Sequence, residues 1–337
     1  MRHSIRSILL ILVVWLAYIG ASKAEPESTL PKGIFVLDDC DDQFKDKAKY
    51  EDHLTFVSAA GKVGFQVTGM NVCESVGCHH MIAVDAPRKC VWVSENVGDC
   101  IKKYDLDGKV ATTFTVVGCG AIAVHPETGN IWALVSTNGT ITDGKTVVFD
   151  PNGRELMSYD AFGVDIAYSS KDNAFWIVGK NLAKIFVTDG FVDLSHQVAA
   201  WCGVSVDVDQ KSGAVWVAVR DHPDVFGSKN QLLKLDRDGK QLADIAMGEK
   251  DPFQVSVDQR DGSVWMVNFN NSLEQFSSDG KHLMTWPVPA VAVQKDRSGA
   301  IWAVTKTNIQ KLNAQGEALL KLDLAGKTGQ AWIGVLE

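Results

Sequence analysis

"VSVDVDQKSGAVWVAV" (Val204–Val219), followed by "LLKLDRDGKQLADI" (Leu232–Ile245), carries the plan of the whole chain. An alternating run leads through a Gly-containing turn into a β-branched run around Trp216, and two further alternating runs are joined by Asp236-x-x-Gly239. Period-two alternation bounded by turn residues is the signature of short strands. The same unit recurs along the chain. Its tryptophan stands in "KCVWVS" (Trp92), "GNIWAL" (Trp132), "NAFWIV" (Trp176), "GAVWVA" (Trp216), "GSVWMV" (Trp265) and "GAIWAV" (Trp302). Successive tryptophans are 40, 44, 40, 49 and 37 residues apart, the period of a four-stranded propeller blade. The regular position assigns these six rings to packing between blades. Trp201, Trp286 and Trp332 fall outside it and are candidates for ligand contact.

The two ends complete the count. "GIFVLDD" (Gly33–Asp39) reads as a second strand with Phe35 in the tryptophan position, and His53–Gly69 reads as a third and fourth. They lack a first strand, which "AWIGVLE" (Ala331–Glu337) supplies. The expectation is an all-β, seven-bladed β-propeller closed by N- and C-terminal strands in one shared blade, because pairing the ends hides the edges an open array would expose. A six-bladed ring with a loose N-terminal hairpin is the alternative. The inner-strand "IAVD", the "G-x-[IV]-W" and the "D-x-x-G" together resemble the NHL-repeat and streptogramin-lyase-like β-propeller superfamily across nearly all of the chain. That resemblance implies a fold and leaves the function open, since propellers host binding scaffolds, lyases, hydrolases and electron-transfer proteins.

Residues 1–24 read as a signal peptide: basic "MRHSIR", a twelve-residue apolar run from Ile8 to Ile19, and small residues before Glu25. The run is short for a bilayer span of about 20 residues. The expected product is a single propeller domain, 25–337, that is periplasmic or extracellular, with no membrane span after cleavage. It would retain 30 basic against 41 acidic residues, a formal charge of −11. Nucleic-acid affinity comes mainly from Lys and Arg displacing counterions, so nucleic acid is excluded as a partner.

The irregular residues concentrate in loops leading into first strands and loops following second strands, at one end of the ring. They give His79, His80, Glu95, Asp165, Trp201, Arg220, Asp221, His222 and Gln254 as ligand-binding candidates, with Arg220–Asn230 a long polar loop of the kind that carries binding. Seven cysteines in an exported chain suggest disulfides. Cys73 and Cys78 can close one loop, and Cys40 and Cys100 can staple the closing blade to its neighbour. Cys90 reads as a small buried apolar residue. Cys73-x-x-x-x-Cys78-His79 also matches a long-spaced covalent haem c attachment, with His80, Met81 or Met70 available as the sixth ligand. His79, His80, Cys119 and Cys202 could converge on a divalent metal, zinc or copper. Lyase chemistry like that of the resembling enzymes would need histidines at several first-strand starts, whereas His125 and His282 fall at the opposite end and His196 on an outer strand. No serine-nucleophile elbow, phosphate-cradling glycine loop or His-Glu-x-x-His is present.

The sequence therefore favours a binding or scaffold module taking a protein or small-molecule ligand at the loop face and channel mouth. A metal- or haem-dependent enzyme or redox protein at the same mouth is the alternative.

Overall fold

The computed structural model describes Lys32–Cys40, 52–70, Val72, 80–137, 143–188, 192–196, 203–220, 229–269, 272–286, 288–296, 298–324 and 328–336. Those residues form seven four-stranded antiparallel sheets. Numbered from the first complete one, blade 1 spans Ile82–Thr115, blade 2 Cys119–Tyr159, blade 3 Asp165–His196, blade 4 Gly203–Ala246, blade 5 Pro252–Trp286 and blade 6 Ala290–Asp323. Blade 7 combines Gly33–Cys40, Asp52–Ser58 and Val63–Met70 with Thr328–Leu336 as its first strand. Each first strand meets the first strand of the next blade, and blade 7 meets blade 1, so the ring is closed. The six-bladed alternative is ruled out, and Phe35 pairs with Gly334 as Trp302 pairs with Gln294. No helix among the described residues is long and apolar enough to cross a membrane. The proposed signal peptide lies outside the described residues.

Seven apolar clusters hold the ring, one per seam between blades. Trp176 of blade 3 meets Val206, Val215 and Val217 of blade 4, and Trp302 of blade 6 meets Ile34, Val36 and Ile333 of blade 7. Phe35 fills the same role against Ile82, Val91 and Val93 of blade 1. All six repeated tryptophans are buried, as their regular spacing implies. Trp286 and Trp332 are buried too, so neither is available to a ligand. Their irregular positions reflect packing needs of one outer and one closing strand.

The Asp-x-x-Gly element is an Asx turn. Asp236 Oδ1 accepts the backbone N–H of Asp238 (2.9 Å) and of Lys240 (2.8 Å), which needs a short carboxylate or amide at that position. Asn313 does the same with Gln315 and Glu317, both at 2.9 Å. Gly239 follows at φ 80°, a left-handed conformation that glycine adopts without a side-chain clash.

A lysine ties each of several turns to the blade behind it. Lys184, Lys234 and Lys311 pair across the strands from Trp176, Trp216 and Trp302. Their ammonium groups lie 5.1, 5.4 and 5.1 Å from those rings. Each then donates to the carbonyl of the second turn residue of the next blade: Arg237 (2.7 Å), Ser278 (2.6 Å) and Ala59 (2.8 Å). Lys184 is almost fully buried and also bonds Asp172 at 3.0 Å. Lys103 lies 5.4 Å over Trp92 without such a bond among the described residues. Losing a buried hydrogen-bond partner costs about 1–3 kcal/mol, whereas an exposed cation–π contact contributes about 0.5–1 kcal/mol. Lys184→Ala is therefore expected to lower urea-unfolding stability clearly more than Lys103→Ala, and equal losses would refute the role of the tie.

Candidate functional site

Neighbouring first strands run side by side around the axis without forming a sheet, so their N–H groups need other acceptors. On blades 3 to 5, side chains supply them. Asp165 Oδ2 accepts from Val206 N–H at 2.8 Å, Ser205 Oγ from Val255 N–H at 3.2 Å and Asp207 Oδ2 from Val257 N–H at 2.7 Å. Gln254 Oε1 accepts from Val293 N–H at 3.2 Å. The corresponding positions of blades 7, 1 and 2 are apolar: Trp332 and Gly334, Met81 and Ala83, Ala121 and Ala123. One side of the ring is thus polar and the other is not.

His80 joins the two. It stands just ahead of blade 1 with a left-handed backbone (φ 46°), and its carbonyl accepts Ile122 N–H of blade 2 at 2.9 Å. Its ring Nδ1–H donates to Asp165 Oδ1 of blade 3, across 85 residues. That bond skips blade 2. His80 thus reaches from the start of blade 1 past the first strand of blade 2 to that of blade 3, at the end of the ring where the first strands begin. The side chain is 25 % exposed against a fully buried Asp165 carboxylate. Nε2 has no partner among the described residues. Burial would push the His80 pKa down, but the Asp165 charge and hydrogen bond, with Asp207 beyond, outweigh it and raise it to about 9. The ring is an imidazolium at neutral pH. Asp207 is pushed up to about 6, chiefly by burial and against its two backbone N–H bonds and His80.

Of the residues named from sequence, His80, Asp165 and Gln254 meet this inner ring, as does Asp207, which was missed. Asp207 sits inside a regular strand pattern and only its pairing opposite Trp216 marks it as facing the next blade. Arg220 lies at the same end on blade 4. Its Nε is 2.6 Å from Asp251 Oδ1, and its guanidinium lies 4.5 Å from the Phe269 ring centroid. Glu95 must be corrected: it is buried in the blade 1 sheet, paired with Lys102 at 2.8 Å and accepting from the Tyr104 hydroxyl at 3.3 Å, so it is not presented to a ligand. Burial and Glu95 push the Tyr104 phenol up in turn.

The cysteine expectations also change. Cys100 is a free thiol, so the expected Cys40–Cys100 staple is not formed. It lies instead by Cys119, whose Sγ is 3.5 Å from the Cys100 carbonyl oxygen. Cys119 is buried, and burial pushes its thiol up to about 12. Cys90 is buried, as expected, and pushed up to about 11 by the same cause. Among the described residues no three His, Cys, Asp or Glu side chains gather as a metal site. Cys73, Cys78, His79, Trp201, Cys202, Asp221 and His222 lie outside the described residues.

No protein-family model matches the chain. No curated protein matches it either. Among solved structures, 1401 chains match, so the fold is widely shared. One is the hydrazine synthase of Kuenenia stuttgartiensis, with a TM-score of 0.62 and 14% identity over 79% of this chain and 90% of that chain. At that identity the likeness shows the propeller fold alone.

Two measurements check the site. A His80 pKa of about 9 in the fold against 6.5 unfolded gives stabilisation that is complete below about pH 6.5 and lost as pH rises through 9. Urea midpoints between pH 6 and pH 9.5 should fall more steeply for the native chain than for His80→Gln, and parallel slopes would count against the ion pair. Buried, protonated thiols at Cys90, Cys100 and Cys119 should resist iodoacetamide at pH 8 in the folded chain and react fully in urea, read by peptide mass spectrometry. Prompt native labelling would contradict their placement.

Proposed function

We propose that this chain is an exported binding module of the NHL-like kind, taking its ligand at the channel mouth without turning it over. The observation that supports it is His80: one ring nitrogen is committed to a buried carboxylate, while Nε2 has no partner among the described residues and the side chain is partly exposed. The Asp165 and Asp207 carboxylates beside it already accept backbone N–H groups, which fixes those carboxylates and leaves the partly exposed His80 ring as a cationic donor for a ligand. Rigid presentation lowers the ordering cost of binding. Export rests on the basic, apolar and small-residue order of the first 24 residues.

A metal- or haem-dependent enzyme or redox protein is the second reading. The same histidine favours it, because an imidazole fixed through Nδ1 by a carboxylate is oriented for general-acid work or for metal ligation through Nε2.

The chain, purified from an exporting host, is expected to be colourless and to hold substoichiometric metal. In a thermal-shift panel of small polar compounds, ligands that stabilise the native chain should lose their effect in His80→Ala and be recovered chemically unchanged. A Soret band, stoichiometric metal, or consumption of a hit compound would overturn the binding-module reading.

A further inference from the structure

The upper end of the seam between blades 4 and 5 holds polar groups that the ring does not use. Trp216 and Ala218 of blade 4 face blade 5, where they meet Met266. Strand alternation carries Arg220 onto the same side as Trp216, and Asn268 onto the same side as Met266. Both therefore open on this one seam. Arg220 is ion-paired to Asp251 (2.6 Å), and its guanidinium lies over the Phe269 ring, 4.5 Å from the centroid. Phe269 is fixed in turn by donating its N–H to the Asp251 carbonyl at 2.6 Å, and by an edge contact to Phe253 at 5.9 Å. Phe269 is 45% exposed and is the one exposed residue among the Phe, Tyr and Trp of the described residues. Asn268 is buried. Its Nδ2 donates to Ser272 Oγ at 2.7 Å, and its Oδ1 is buried with no partner among the described residues.

We propose that Arg220 and Asn268 form a subsite for a carboxylate bearing an adjacent hydrogen-bond donor, the chemistry of an N-acylated amino acid or a peptide C-terminus. The proposal rests on the reading of the mouth as the binding face and names the ligand chemistry there. Asp251 and Phe269 hold the guanidinium in place, and its terminal nitrogens have no partner among the described residues. A fixed guanidinium fork is matched to the two oxygens of a carboxylate. The orphaned Asn268 oxygen asks for a donor, and a buried acceptor left unpaired costs free energy that a ligand N–H would recover. The exposed Phe269 offers apolar area beside the fork. Other guanidinium groups at seams are used up differently: Arg88 and Arg260 both bond carbonyls of the following blade.

Arginine side-chain NMR signals of the full chain, titrated at pH 6, test this. N-acetylglycine should give a saturable shift at Arg220. Acetate, lacking the donor, should bind more weakly, and N-acetylglycinamide, lacking the carboxylate, should give none. N-acetyltetraglycine binding more tightly than N-acetylglycine would point to a peptide end as the source, and equal binding to the free acid. Arg220→Lys, which keeps charge but loses the fork, should weaken binding at least about tenfold, and Phe269→Ala should weaken it by a smaller factor. Equal response to N-acetylglycinamide, or binding unchanged in Arg220→Lys, overturns the subsite. Shifts near His80 alone overturn it too, while leaving the mouth reading in place. Silence at both positions overturns the subsite and finds no support for the mouth with this ligand class.

Discussion

Seven strands laid around an axis cannot hydrogen-bond to each other as a sheet, yet each carries N–H groups that water reaches poorly. This constraint governs the interior. On blades 3 to 5 it is met by Asp165, Ser205, Asp207 and Gln254, each accepting from the neighbouring strand. At the opposite end, Gln210 and Gln259 act likewise: Gln210 accepts from Ser170 N–H at 2.7 Å, and Gln259 from Gln210 N–H at 2.9 Å. The carboxylates that line the mouth are thus first of all parts of the frame. His80 is the addition that a frame does not require, since it bridges strands that are not neighbours.

The tryptophan seams and lysine ties obey the same economy of position. A blade is too thin to bury both faces alone, so each presents an indole to the next. The lysine across from that indole is long enough to cover its face and still reach the following turn. Apolar contact and directional bonding are then supplied by one cross-strand pair, and the seam registers the blades as well as cementing them.

The architecture was legible because it is periodic: the tryptophans, the Asx turns and the missing first strand each announce themselves in the chain. Two lysine ties stand in "KLDRDG" and "KLNAQG", two residues before the turn Asp or Asn, but Lys103 in "KYDLDG" shares that position and makes no such bond among the described residues. The site was legible only in part. Asp165 and Gln254 drew notice as irregular residues at strand starts, and both proved to be seam acceptors. The partnership of His80 with Asp165 was not readable, because it depends on a bond over a skipped blade. Glu95 misled for the converse reason: a carboxylate at a strand end looks exposed until Lys102 and Tyr104, further along the next strand, turn out to enclose it.

The shared blade also sets a timetable. Thr328 Oγ1 bonds the carbonyl oxygen of Asp39, 289 residues earlier. At the usual pace of translation, about 5–20 residues per second, the strand Gly33–Cys40 waits roughly 15–60 s for the partner that covers its edge. Over that interval Ile34, Val36 and Leu37 border an unpaired edge, the kind of surface that recruits other chains. A ring that is sealed by its last-made strand protects its edges well once finished, and makes the nascent chain depend on being kept apart from its copies until then.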